Sequence, residues 1–305
     1  MNKLVNFFII VLVTVNLFYA ECALAAEKIK KSETVLLDSY RRNLARLESN
    51  SFGLPLYVES YERDEKVHVD VYGIFNDSFS NIYGTLKVPG NWCDIVFLHS
   101  NIKACSYDEV AGSWFLNFYL GRKSYQPPED VTPVITRFRN VDHQGYLDIK
   151  LMADVGPYGT RDHRMRFEAI PMEGGKTFAH VSYTYSDSKA LRLATKIYFA
   201  TIGHNKVGFT VTGKDGNGRP VYIGGPRGAL ERSAVRYYFA IQSFMNTSRY
   251  PEESRFNRRI SEWHDLTSRF PKQLFDLSKN DYMAIKTREH KNQLTLQRRI
   301  SLEHK

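Results

Sequence analysis

The 305-residue chain lacks the short signatures that mark many enzymes: it has no GxSxG nucleophile elbow, no HExxH zinc motif, no Walker phosphate loop and no GxGxxG dinucleotide fingerprint. Their absence removes the serine hydrolases, zinc proteases and nucleotide-dependent enzymes that a motif reveals, and leaves other catalysis open. Cysteine is scarce, with only Cys22, Cys93 and Cys105. None stands in a CxxC pair and no second pair exists for zinc, so neither dithiol redox chemistry nor a metal site is implied. No cofactor is implied either.

The first feature present is an export signature. Met1–Lys3 is a short basic start, Leu4–Tyr19 is almost wholly apolar, and Ala23-Leu24-Ala25 offers the small residues of a cleavage site before Ala26. Residues 1–25 are expected to be a signal peptide and the mature protein to be periplasmic or secreted. A retained membrane anchor is the alternative, because the run approaches the lower limit for a span. Cys22 follows Glu21, where lipoprotein processing needs a small residue, so it is expected to leave with the signal. In an oxidising compartment, Cys93 and Cys105 read as one disulfide joining a helix end to a strand start; the alternative is two buried thiols. Lysine and arginine number 42 against 33 aspartates and glutamates, a net charge of +9 that loss of Lys3 and Glu21 leaves unchanged. Export argues against nucleic acid as a partner; the charge fits an anionic membrane surface or ordinary solubility.

The hydrophobic period then organises the chain. Leu36, Leu37, Tyr40, Leu44 and Leu47 recur at helical spacing, predicting an N-terminal helix within 26–53. Val67, Val69 and Val71 alternate with polar residues, as in a strand with one buried face. Asn76-Asp77-Ser78 offers a cap for a helix reaching Pro89, and a second short helix is expected over Asn91–His99. From Lys103 the period is two. Strands are predicted around Trp114–Leu120, Leu147–Ala153, His163–Pro171, Thr177–Tyr185 and Lys206–Gly213, with Glu173-Gly174-Gly175 a hairpin turn and no crossover helices between strands, hence an antiparallel sheet. Ala190–Ala200 reads as a helix or lid-like insertion. After Gly224-Gly225-Pro226-Arg227-Gly228, residues Leu230, Ala234, Tyr237, Ile241 and Phe244 form the stripe of a long amphipathic helix, with Glu231, Arg232 and Arg236 off that stripe. Beyond Pro251, Phe256, Ile260, Trp263 and Leu266 predict one helix and Tyr282–Leu296 a basic second.

This order, a strand pair, two short helices, an antiparallel run and a closing long helix, resembles the START and Bet v 1-like helix-grip (SRPBCC) superfamily, here as an exported bacterial member. The resemblance rests on element order over residues 54–246. It implies an α+β fold in which a curved antiparallel sheet wraps a long C-terminal helix around a hydrophobic cavity. Departures are the N-terminal helix, the insertion and the C-terminal helical basic extension, 247–305.

Two loops bring reactive groups together. Arg161, Asp162 and His163 are candidates for catalysis, with Asp162 orienting His163 as a general base beside Arg161; the structural reading is a hairpin loop with an Arg161–Asp162 salt bridge. Arg227, Gly228, Arg232 and Arg236 at a helix start suit an acidic head group, while Tyr183, Tyr185, Tyr237 and Ile241 suit an apolar body; the alternatives are turn glycines, surface ion pairs and ordinary core. The tail from Lys286 to Lys305 carries six basic and two acidic side chains and reads either as a solvated helix or as a peripheral contact with an anionic membrane.

The expected function is an exported carrier or sensor of a hydrophobic or amphipathic, lipid-like small molecule. One alternative is an enzyme of cyclase or hydrolase type using the same cavity. Another is an envelope interaction module with a collapsed cavity.

Overall fold

Residues 27–63, 66–143, 145–186, 193, 197, 201 and 206–303 are described in a computed structural model of the chain. The expected signal peptide with Cys22 lies outside them, as does the insertion at Ala190–Ala200 apart from Leu193 and Ile197. Helix α1 spans 27–48. It is followed by strands β1 (Leu56–Arg63) and β2 (Lys66–Phe75), helices α2 (Phe79–Leu86) and α3 (Pro89–Phe97), then strands β3 (Ile102–Val110), β4 (Ser113–Leu120), β5 (Pro133–His143), β6 (Tyr146–Val155), β7 (Arg161–Pro171) and β8 (Thr177–Ser186). A short ribbon of β9 (Val211–Lys214) and β10 (Pro220–Tyr222) leads to α4 (Gly225–Thr247), α5 (Glu252–Ser268), α6 (Pro271–Leu274) and α7 (Lys279–Glu303).

The eight strands form one antiparallel sheet in the order β1-β2-β8-β7-β6-β5-β4-β3. Because α2 and α3 carry the chain across between β2 and β3, the meander that follows returns so that β8 pairs with β2. Alternation decides which face meets α4: Val67, Val69 and Val71 are buried on the inner face, opposite Tyr185, Tyr183 and Val181 of β8. Gly73 lies on that face because Tyr238 of α4 occupies its side-chain space; a Cβ there would sit 2.0 Å from the phenolic oxygen. The curved sheet thus grips a long helix, an α+β helix-grip architecture with additional helices at both ends.

Local chemistry starts and stops these elements. Ser78 caps α2 by accepting from Asn81 N–H at 3.3 Å. Helix α3 begins at Pro89, where the missing N–H costs nothing, rather than at Asn91. Cys93 of α3 and Cys105 of β3 are joined in a disulfide. Strand β5 was not among the expected strands, although Thr136 and Phe138 are buried in alternation with exposed Ile135, Arg137 and Arg139.

Two expectations need correcting. Lys206–Gly213 is not a strand of the main sheet: Phe209 and Thr210 give their N–H groups to the Glu231 carboxylate, so those donors are unavailable to a ladder. Nor is α4 amphipathic. Glu231, Arg232 and Arg236 are buried along with the apolar stripe: Ser60 and the segment 207–210 meet Glu231 and Arg232, while α5 and the chain at 274–276 cover Arg236.

The C-terminal helices belong to the same core: Ile260, Trp263, Leu274 and Tyr282 join the apolar cluster around α4. Helix α7 seals the open edge of the sheet at β3. Gln293 accepts from Cys105 N–H at 2.8 Å, while Gln297 accepts from Tyr107 N–H at 2.9 Å and donates to its carbonyl at 3.0 Å. The spacing of four residues sets both amides on one helix face, where they replace the strand that an edge would otherwise recruit.

Candidate functional site

The middle of the grip is filled. Phe167, Ile149 and Val181 of the sheet and Phe239, Ala240 and Ile241 of α4 have almost no solvent exposure. At the end where β5 starts and β6 stops, packing gives way to a cleft of about 990 Å³. Its inner wall is formed by His99 from the turn after α3, Tyr183 of β8, and Ser233 and Tyr237 on successive turns of α4; its rim is Thr132–Val134 and Val155–Pro157. That volume is at the upper end of what small-molecule sites enclose. A second space of about 980 Å³ lies between α1 and the β7–β8 turn, against Leu37, Tyr40 and Met172, but its charged lining residues Glu48, Glu173 and Lys176 are exposed at its edge. Only the first combines apolar walls with buried, converging polar atoms.

The proton positions on the inner wall follow from a backbone anchor. Thr160 donates its hydroxyl hydrogen to the Pro157 carbonyl at 2.6 Å, so it accepts from His163 Nε2–H at 2.8 Å. His163 Nδ1 is then the acceptor for the Tyr183 hydroxyl at 3.0 Å. Burial, aided by Arg164, lowers the His163 pKa to about 4, so the ring is neutral. Burial also raises Tyr183 above the ordinary phenol value of 10.0. Tyr183 therefore offers the cleft an acceptor oxygen with its hydrogen already committed.

His99 offers the complement. Its Nδ1 accepts from Asn101 N–H at 3.1 Å, which leaves the proton on Nε2, and among the described residues nothing accepts from that nitrogen. The side chain is buried against Tyr237, with ring centroids 5.3 Å apart. Burial, then the nearby Arg236 charge, keeps the ring neutral by lowering its pKa well below the usual value. A neutral donor and a neutral acceptor thus share the inner wall, while Arg137, Asp154 and Arg164 line the outer part of the cleft.

Two ion clusters underlie this wall. Asp276 accepts from Arg236 at 2.9 Å, from Ser100 at 2.7 Å and from Lys123. Burial acts to raise its pKa, but Arg236 and Lys123 prevail and hold it at about 2. Glu289 of α7 joins Lys103 at 2.8 Å and Lys286 at 3.0 Å, all three fully buried.

The residues singled out from sequence are distributed as follows. His163 lies on the inner face, but its partners are Tyr183 and Thr160; Asp162 is half exposed, accepts from Ser186 and approaches Arg164 at 3.9 Å. Asp162 takes φ 53° where the pairing register between β7 and β8 shifts, which turns its carboxylate away from His163. Arg161 stands at the end of β7, opposite Ser186. The helix-start residues serve the fold's own contacts: Arg227 donates to the Ser60 hydroxyl and carbonyl, Arg232 to the Val207 carbonyl, and Arg236 to Leu274 and Asp276. At Gly228 a Cβ would lie 2.6 Å from the Ile223 carbonyl oxygen, so the glycine lets the chain at Gly208 and Ile223 cross the helix start. Tyr183 and Tyr237 line the cleft, Tyr185 stacks on His163 with centroids 5.5 Å apart, and Ile241 is one turn further into the packed core.

His99 and Ser233 went unnoticed in the sequence. His99 follows a helix and Ser233 sits among charged residues, so neither carries a periodic signal. Among the described residues no group of three or more His, Cys, Asp or Glu is arranged to hold a metal, and no helix is long and apolar enough to cross a membrane.

No family model matches the chain, and no curated protein matches it. Among solved structures, a conserved protein of unknown function from Enterococcus faecalis aligns over 70% of this chain and 91% of its own, at 10% identity and a TM-score of 0.35. Norcoclaurine synthase from Thalictrum flavum aligns over 45% and 77%, at 13% identity and a TM-score of 0.33. Zhui aromatase/cyclase from Streptomyces sp. R1128 aligns over 39% and 67%, at 8% identity and a TM-score of 0.28. The architecture assigned above stands on the strand order and the gripped helix of this chain.

Proposed function

We propose that this START- and Bet v 1-like chain is an exported carrier or sensor that holds a hydrophobic or amphipathic small molecule in the cleft between sheet and α4. The observation that carries the reading is the inner wall: His99 Nε2–H and the Tyr183 oxygen, both neutral and oriented by protein partners, facing a cleft of about 990 Å³ whose outer lining carries Arg137, Asp154 and Arg164. Apolar burial would supply most of the affinity, at roughly 25 cal/mol per Å² removed from water. The donor and acceptor would select a ligand with a carbonyl or hydroxyl at its inner end. In this reading the protein acts in the periplasm or outside the cell after loss of residues 1–25.

An enzyme using His163 as a base is less well supported by the same geometry. Both ring nitrogens are engaged, Nδ1 by the Tyr183 hydroxyl and Nε2–H by Thr160, and burial holds the ring at about 4.

The test is native mass spectrometry of the mature protein from its producing cell, followed by displacement of the fluorescent probe anilinonaphthalene sulfonate by whatever is released. A stoichiometric released compound that rebinds roughly 5–10-fold more weakly to His99→Phe, as loss of one hydrogen bond predicts, supports the reading. Empty protein that binds no probe overturns it.

A further inference from the structure

The outer face of the sheet is divided. Over β1, β2 and β8 it is covered by α1, whose Leu36 and Leu47 pack with Tyr72 and Phe178. Its cover reaches Tyr146 of β6 and Ile170 of β7, which join the same cluster; further along β4 to β7, at Arg137, Arg139 and Ile135, the face is exposed. The register there builds two rows across the strands. One row is Phe115, Arg137, Met152 and Arg164; the next is Arg139, Lys150 and Arg166. Three cations thus stand directly opposite one another on adjacent strands, an arrangement that destabilises a sheet unless counter-charge meets it.

The available counter-charge does not suffice. Asp148 binds Arg166 at 2.7 Å and Lys150 at 2.9 Å, and Asp154 binds Arg164 at 3.2 Å. Glu168 reaches Arg166 at 2.9 Å but is shared with His180. Arg137 and Arg139 are exposed and have no ion pair among the described residues; Arg137 rests over the Phe115 ring at 5.8 Å. Beside these charges Ile135 is 62% exposed on the same face, with Asp154 of β6 near it and paired to Arg164. The cleft is continuous with this face, since Phe115, Ile135, Arg137, Met152 and Arg164 line it along with His99 and Tyr237.

We propose that the β4–β7 outer face docks on an anionic phospholipid bilayer, with Arg137 and Arg139 against the head groups and Ile135 at the acyl boundary, so that the cleft mouth meets the membrane. Unpaired cations fit an anionic surface, and the exposed Ile135 two residues from Arg137 fits a bilayer better than an acidic protein. The basic tail is the weaker candidate. Lys286 and Glu289 are buried in the ion cluster, and Arg288 stacks on Tyr125 at 3.6 Å. Docking stands on this face alone; its use in loading a ligand rests on the function proposed above.

The experiment is co-sedimentation of the mature protein with phosphatidylcholine vesicles, with and without phosphatidylglycerol. Binding is expected only with the anionic lipid. The Arg137→Gln/Arg139→Gln variant is expected to weaken it about 30-fold, because each basic residue near such a surface contributes about fivefold. Arg298→Gln/Arg299→Gln should change it by about twofold at most, because those exposed side chains stand on α7, beyond the edge strand β3 and outside the proposed face. Equal binding to both vesicle types, an unaffected Arg137/Arg139 variant, loss in the α7 variant, or equal competition by polyglutamate would each overturn the proposal. An Arg139→Gln variant, outside the cleft lining, that binds the vesicles about fivefold more weakly yet still carries ligand in native mass spectrometry separates docking from binding.

Discussion

Replacing Glu289 with glutamine keeps the shape of the side chain and removes the only carboxylate between two buried ammonium groups. Lys103 and Lys286 are fully buried, at 2.8 and 3.0 Å from it. In the native protein their remaining hydrogen bonds go to the carbonyls of Ser100, Ser124 and Ile102, which cannot take up the lost charge. Breaking one partner of a buried ion group costs about 3–5 kcal/mol. For a domain of this size that lowers the Tm by roughly 6–20 °C. The assay is urea unfolding followed by tryptophan fluorescence, with Lys103→Met/Glu289→Leu/Lys286→Met as control. Removing all three ions also removes their desolvation cost, so the triple variant should recover most of the loss. Desolvation lowers Lys286 to about 8 from 10.5, so the folded protein gives up that proton first as pH rises. Stability from this group therefore increases between pH 8 and 10.5, and the increase should be larger in Glu289→Gln. A loss below about 1 kcal/mol, the range of an exposed pair, would refute the reasoning.

Two further outcomes test other parts of the fold. His180 bridges Asp70 at 2.8 Å and Glu168 at 3.0 Å; burial opposes its charge, but the two carboxylates prevail and raise it from 6.5 to about 9. A raised histidine contributes its full stability below pH 6.5 and loses it as pH climbs through 9, about 3 kcal/mol for 2.5 pK units; the difference in urea midpoint between wild type and His180→Gln should shrink across that window. Gly228→Ala should cost about 1–3 kcal/mol by crowding the Ile223 carbonyl and Gly208, whereas Gly224→Ala, with nothing within 4 Å, should change stability by less than about 0.5 kcal/mol in the same denaturation assay.

Much of the fold was legible because burial repeats at a fixed period. Val67, Val69 and Val71 announce β2, and Ser78 announces α2. Element order pointed to the helix grip. Strand β5 was passed over because its inward residues, Thr136 and Phe138, alternate with another apolar residue, Ile135, which blurs the period. The site was legible only in part. Tyr183, Tyr237 and His163 were singled out, yet Asp162 and Arg161 do not orient His163, because a register shift in β7 rotates the neighbouring side chains apart. The arginines after Gly224 looked like an anion site by spacing along one helix. Their partners, Ser60, Val207 and Asp276, lie 167, 25 and 40 residues away in the chain, beyond any local pattern.

From the sequence alone came whatever depends on neighbours along the chain: strand and helix periods, caps, turns, the charge balance, and a cysteine pair in a chain with an export signature. Tertiary structure alone decided which faces of α4 are buried, where the sheet edge is closed, and where the grip stays open. It also set the protonation pattern that makes His99 a donor and Tyr183 an acceptor. Those properties depend on which distant groups share a low-dielectric space, and a pattern of residue types does not encode distance.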